Sequence, residues 1–325
     1  FNDATLNDGL ATYDWPLGES SAAFSLSYPE GPPSIDVDVF QSSDAGIRDN
    51  DAEGAIVFSP SGFTLTAAPL TNPPPAVIVP LSTTRVAGLD FPIHITAYGV
   101  TANDPVCGVI ESYTGPKNLK FWLDFLNPVS GSVAASVDSN AIPATEASAA
   151  NQAVTFTNGQ AEVAGKYKDV GRIQINVKDD SQPHPDLPNG IRGATAGFVV
   201  KPYQFLLSNI EDSAGSPNPA ATDADGGTFV AAGEAFSVTV SALDAEGDIT
   251  PNFGQESIPE TVQLTPTLVA PAAGDNPALG AASAFGPFVA GQATGTNFSW
   301  PEVGSITLTP SIGDGDYLGA GDVTG

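Results

Sequence analysis

The groups in this chain whose spacing could do chemistry are carboxylates. Asp49, Asp51 and Glu53, then Asp223 and Asp225, then Asp314 and Asp316 alternate at the ends of apolar stretches, a spacing that can bring oxygens round a hard cation such as calcium. None of the three sets completes the twelve-residue calcium loop, and Asp serves equally well in turns because its side chain satisfies nearby backbone N–H groups. Calcium is the one cofactor these loops suggest. Other reactive groups are sparse: one cysteine, Cys107, and two histidines, His94 in a strand-like stretch and His184 between two prolines. Neither His has a second at ligand spacing, and no nucleophile elbow, phosphate loop or metalloprotease helix is present, so the chain is expected not to be an enzyme. Trp15, Trp122, Trp300 and Tyr113 could build a sugar-stacking platform, although Trp122 sits in an apolar strand where aromatics more often serve the core.

The elements that would position these groups are strands. In 325 residues there are 34 Gly and 29 Pro but only 14% charged residues, a balance that suits short strands joined by turns and disfavours long helices. The length allows two or three domains. A single cysteine permits no disulfide within the chain, so stability has to come from packing. The formal charge is −27, and no basic side chain follows Lys201. Such a surface repels phosphate backbones, so nucleic acid is not an expected partner. No run of 18 apolar residues occurs that could insert in a membrane as a helix.

An internal repeat organises the whole. Phe156, Gly159, Gln160 and Ala161 answer to Phe288, Gly291, Gln292 and Ala293; Val170, Gly171, Ile173 and Ile175 answer to Val303, Gly304, Ile306 and Leu308. Upstream, Phe63 and Pro60 lie over Phe205 and Pro202, and Phe91, Ile93, Ile95 and Ala97 over Phe236, Val238, Val240 and Ala242. Alternation in the 91–97 stretch turns Phe91, Ile93 and Ile95 inward and leaves His94 and Thr96 outside. Cys107 falls on Phe253 beside a shared Gly, where it is expected to pack as a small apolar residue or to pair with a cysteine outside this chain. The fold predicted is all-β: tandem immunoglobulin-like antiparallel β-sandwiches at residues 58–196 and 197–325, preceded at 1–57 by the C-terminal part of a further sandwich. There residues 34–40 repeat the strand at 173–177. A half-sandwich exposes an apolar face and unpaired edges, so residues 34–65 are expected to pair along their length, with a missing front half, the following domain, or a neighbouring subunit.

Residues 106–131, 232–256, 201–208 and 313–325 carry a more specific likeness. Together they resemble the large uncharacterised domain of the MshQ-like proteins, which are encoded with the mannose-sensitive haemagglutinin type IV pilus of aquatic Gammaproteobacteria. The resemblance implies an exported protein at the cell surface of a bacterium, with a structural or adhesive part in pilus biogenesis or attachment. The expected partners are other subunits or pilus components, with end-to-end self-assembly where residues 34–65 pair by strand addition to a neighbouring subunit. It supplies no catalytic residue. The rival expectation is a calcium- or carbohydrate-dependent binding module acting through the acidic loops.

Overall fold

A computed structural model describes residues 12–18, 20–22, 34–35, 37–49, 56–57, 62–99, 108–181, 190–220, 223 and 226–325. Over these it is nearly all β, with a single turn of 3-10 helix at Glu146–Ser148. The leading segment holds four short strands: β1 (Ser34–Ile35), β2 (Phe40–Gln41), β3 (Asp44–Arg48) and β4 (Ile56–Val57). The first sandwich follows as β5 (Gly62–Thr66), β6 (Arg85–Val86), β7 (Phe91–Gly99), β8 (Gly108–Val109), β9 (Gly115–Asn127), β10 (Ala135–Val137), β11 (Asn140–Ala141), β12 (Asn151–Phe156), β13 (Gln160–Tyr167), β14 (Gly171–Asp179), β15 (Ile191–Ala194) and β16 (Phe198–Lys201). The second is β17 (Gln204–Asp212), β18 (Phe236–Leu243), β19 (Val262–Ala270), β20 (Gln292–Phe298) and β21 (Ser305–Ile312).

Two sheets face each other in the first sandwich. One runs β11-β10-β13-β7-β5 with β8 beside β7, the other β12-β9-β14-β16-β6 with β15 beside β14. All their pairings are antiparallel except β16 with β6. The second sandwich is leaner, with β17-β18-β20 opposite β19-β21. Period-two alternation drives both: Phe91, Ile93 and Ile95 from one sheet meet Leu119, Phe121, Ile173 and Ile175 from the other in one core. His94 is on the outer face as its place in the pattern requires. Thr96 shares that face and is nevertheless buried. Gln160, its partner across the ladder, donates from Nε2 to the Leu70 carbonyl at 2.7 Å, so the loop after β5 lies over this part of the sheet.

The repeat holds to the residue in strand register. Phe63 pairs with Ala97 as Phe205 pairs with Ala242, and Ala161 with Ile95 as Ala293 with Val240. Ile173 lies opposite Phe125 as Ile306 lies opposite Leu268. Even the leading segment obeys it, since Ser34↔Val57 and Ile35↔Ile56 reproduce Arg172↔Val199 and Ile173↔Phe198. The expected continuous strand at 34–40 is, however, two short ones: residues 37–39 carry no strand. Among the described residues only its ends pair as strands, and Val39, Phe40 and Ile47 are left exposed.

Glycine at the shared Asn158–Gly159 and Ala290–Gly291 turns has one cause in both sandwiches. Gly291 has φ +78°, and a Cβ there would strike the Thr250 carbonyl oxygen and the Ile249 side chain; Gly159, at φ +77°, would meet the Ile110 carbonyl in the same way. Gly291→Ala should therefore cost more than the roughly 1–3 kcal/mol of left-handed strain alone. Gly247→Ala, at φ +88° with open space around it, should cost only the strain. Chemical denaturation of the two variants checks this, and equal losses would refute the steric account.

Candidate functional site: the joint between the sandwiches

Only Pro202 and Tyr203 separate β16, which finishes the first sandwich, from β17, which begins the second. So short a connection forces the end of one sandwich against the start of the next, and the contact is built from specific bonds. Ala87 N–H donates to the Lys201 carbonyl and Ala245 N–H to the Ala87 carbonyl, each at 2.9 Å. At φ +82°, Gly88 leaves room for Ala245 that a Cβ would fill. Deeper in, Asp169 Oδ1 accepts from Val170 N–H at 2.9 Å and from Asn252 N–H at 3.0 Å. Asn252 Nδ2 donates back to the Tyr167 hydroxyl at 3.2 Å and lies 3.4 Å from the Val170 carbonyl. At the far side Ser257 N–H donates to Asn127 Oδ1 at 2.8 Å.

A rim of charges surrounds this polar centre. Lys166 reaches Glu246 at 3.0 Å and Asp90 at 3.2 Å; Lys168 reaches Glu246 at 2.6 Å and Asp248 at 3.3 Å. These pairs face solvent, so each adds little and is screened by salt. The buried carboxyls matter more. Desolvation pushes Asp169 up to about 6, only partly offset by the two backbone N–H groups it accepts, and its Oδ2 has no partner. Glu256 accepts the Tyr317 hydroxyl at 2.8 Å and is likewise raised by burial. Burial and the nearby charges of Glu256, Asp314 and Asp316 push Glu260 up to about 7. The same confinement drives the hydroxyls of Tyr167 and Tyr317 upward. Asp244 is fully buried, and its Oδ1 takes the N–H groups of Glu246 and Asp248 at 2.9 Å each.

Beside the joint a cleft of about 820 Å³ opens between residues 126–132, Arg172, Asn252, Gln255, Ser257 and Leu318. Its amides are already committed: Asn127 and Asn252 to the joint, and Gln255 to the Phe288 carbonyl at 2.9 Å.

The acidic sets singled out from the sequence lie elsewhere. Asp49 closes the open end of the β2–β3 hairpin, with Val39 N–H at 3.3 Å from its Oδ2. Asp223 is exposed, and its carbonyl takes the Ser305 hydroxyl at 2.8 Å. Asp314 Oδ1 accepts from Asp316 N–H at 3.0 Å and Asp316 Oδ1 from Gly321 N–H at 2.6 Å, so each carboxylate organises a turn. Asp51, Glu53, Asp225, Cys107 and His184 lie outside the described residues. Among the described residues no three His, Cys, Asp or Glu side chains gather at metal-holding distance. His94 Nδ1 is 3.6 Å from Glu162. Of the four aromatics only Trp15 is exposed, at 55%. Trp122 is buried with the Arg192 guanidinium 5.8 Å over its ring, Trp300 donates from Nε1 to the Pro277 carbonyl at 3.1 Å, and the Tyr113 hydroxyl is 2.6 Å from Asp179. Sequence reading missed Asp169, Asp244, Glu256 and Glu260. Asp244 alone had a signal, in the turn-forming run Asp-Ala-Glu-Gly-Asp.

Fold and joint together define a tandem immunoglobulin-like β-sandwich protein. Residues 41–189 match the family described as "Domain of unknown function (DUF6701), first Ig-like domain", and residues 201–298 match "DUF6701, second domain". The two spans take in well over half of the sequence, so the chain belongs to the DUF6701 family. No curated protein matches it. Solved structures similar to it include "invasin: a bacterial integrin-binding protein", at TM-score 0.30 and 15% identity over 80% of this chain. This chain spans only 38% of that structure's length. The D0-D1 domain of intimin follows at TM-score 0.21 and 15% identity, over 82% of this chain and 95% of that one. Domains 5-6 of the S-layer protein SbsC reach TM-score 0.18 and 13% identity, over 75% and 91%. At such scores the likeness carries no inference about what this chain binds. No helix among the described residues is long and apolar enough to cross a membrane.

Proposed function

We propose that this chain is a non-enzymatic structural or adhesive component of a bacterial cell-surface appendage, of the MshQ-like kind associated with the mannose-sensitive haemagglutinin type IV pilus. The observation that carries this reading is the joint. Two sandwiches linked by two residues, and bonded across their contact through Asp169, Asn252, Asn127 and Ala87, make a spacer of set direction rather than beads on a flexible linker. The resemblance of residues 106–131 and 232–256 supports the same role. The acidic surface suits a protein held at the cell exterior, where self-repulsion keeps it from clumping. Antibody raised against this chain should decorate intact cells of the producing bacterium, and the protein should leave them with mechanically sheared appendages. Label that appears only after permeabilisation would overturn the proposal.

A further inference from the structure

Of the ten basic side chains, every one but Arg172 meets a carboxylate, a backbone carbonyl or an aromatic ring; Arg172 meets none among the described residues. In a chain with 37 acidic residues that is unexpected, and the surroundings of Arg172 give the reason. It lines the cleft beside the joint, and none of the residues lining that cleft is Asp or Glu. Glu256, between two of them in sequence, is buried and turned onto the Tyr317 hydroxyl. The largest hollow of an acidic protein is thus free of acid and holds its one uncommitted cation.

The fold does not require the arginine. Arg172 lies opposite Asn127 in the ladder of β14 with β9, and the repeat puts Ser305 opposite Ala270 at the same place in the second sandwich. The second copy keeps the strand pair and drops the cation. Room is kept for the guanidinium in the first: a Cβ on Gly197 would come within 3.1 Å of Arg172 Nε, and Gly197 has no positive φ that would otherwise call for glycine. The amides of the cleft are spent within the molecule, but the hydroxyls of Ser130, Ser132 and Ser257 have no bond among the described residues. Leu126 and Val129 stand beside them, Val129 84% exposed. A second hollow of about 540 Å³ shares Leu126, Val129, Ser130 and Gly131 with the first, so the cleft continues past these residues.

We infer that this cleft binds a sugar acid, a pyranose ring carrying one carboxylate, alone or within an oligosaccharide. The Arg172 fork takes the carboxylate through two parallel N–H···O bonds. The three serine hydroxyls, each both donor and acceptor, meet ring hydroxyls, and Leu126 and Val129 cover the C–H face of the ring. A carboxylate fits better than a phosphate because Arg172 matches a single negative charge, and a second is opposed by the field of a chain of net charge −27. The site goes beyond the appendage role and does not depend on it.

An NMR titration of the full chain tests this, with sodium D-glucuronate and N-acetylneuraminate as probes and D-glucose and sodium acetate beside them. A sugar acid should shift the amide signals of residues 126–132 and 252–257 saturably. It should bind about tenfold or more tighter than glucose, which lacks the carboxylate, and than acetate, which lacks the ring. The tighter of the two acids tells a uronate of the microbial polysaccharide type from a sialic acid of the animal glycan type, and saturable binding of either supports the inference. Arg172→Gln should weaken that binding about tenfold or more and leave the melting temperature unchanged, because the side chain is exposed. No saturable shift at these amides with either acid, equal affinity for glucose or acetate, or undiminished binding by Arg172→Gln overturns the inference.

Discussion

Replacing Phe253 by alanine should destabilise the second sandwich by about 3–5 kcal/mol, the range for emptying a buried aromatic site. Phe253 is fully buried, its ring 4.7 Å from that of Phe288, 5.3 Å from Phe205 and 5.8 Å from Tyr317. These three come from separate segments of the second sandwich, so little can collapse into the space without breaking an aromatic pair. Tyr317 also donates to Glu256, so its displacement would loosen a buried carboxyl. Phe253→Leu, keeping much of the volume, should recover a good part of the loss. Denaturant unfolding measures both, and a loss below about 1 kcal/mol for the alanine variant would mean that the site collapses freely.

Acidification should stabilise the chain. Asp169 titrates near 6 in the folded protein against an ordinary 3.8, and Glu260 near 7 against 4.5, each because burial penalises the ion. A carboxyl raised on folding binds more protons folded than unfolded, so stability falls as pH rises through the window between its two values. Asp169 alone corresponds to about 3 kcal/mol lost between its unfolded and folded values. Glu260 is partly exposed and contributes less. The opposing groups act lower: Arg192 and then Lys178 hold Glu146 down at about 2, so its contribution is lost only below 4.5. The melting temperature should therefore rise from pH 7.5 down to about pH 5 and fall again in stronger acid. Asp169→Asn keeps the acceptor oxygen, removes the ion and should flatten the upper slope. A melting temperature equal or lower at pH 5 than at pH 7.5 in the native chain would show that the joint is not a buried-acid site.

How much of this was legible in the sequence differs between strands and joint. Residues such as Ile173, Ile175, Phe91 and Ile95 announce themselves because a strand with one buried face must alternate, and the second copy shows the same alternation at Ile306, Leu308, Phe236 and Val240. Thr96 broke the pattern in burial because the loop that covers it is remote in sequence and has no period of its own. At the joint only the turn-forming run that begins at Asp244 was legible. Asp169 lies in the stretch where the copies diverge; burial raises its pKa, and one of the two N–H groups that partly offset the rise comes from Asn252, 83 residues away in the other sandwich. Conversely, the alternating carboxylates that attracted notice at Asp314 and Asp316 are spent on their own backbone. Spacing alone does not distinguish an Asp that binds a turn from one that binds an ion.

The two-residue connection also governs what happens when the chain is pulled by its ends. A pair of residues can extend by at most about 7 Å, so the link between sandwiches holds almost no slack. Tension arriving from the second sandwich enters the first along β16, whose ladders with β14 on one side and β6 on the other run crosswise to the pull and are loaded together in shear. An array of such units would transmit load stiffly up to the force at which a whole sheet yields, lengthening by unfolding rather than by stretching at its seams.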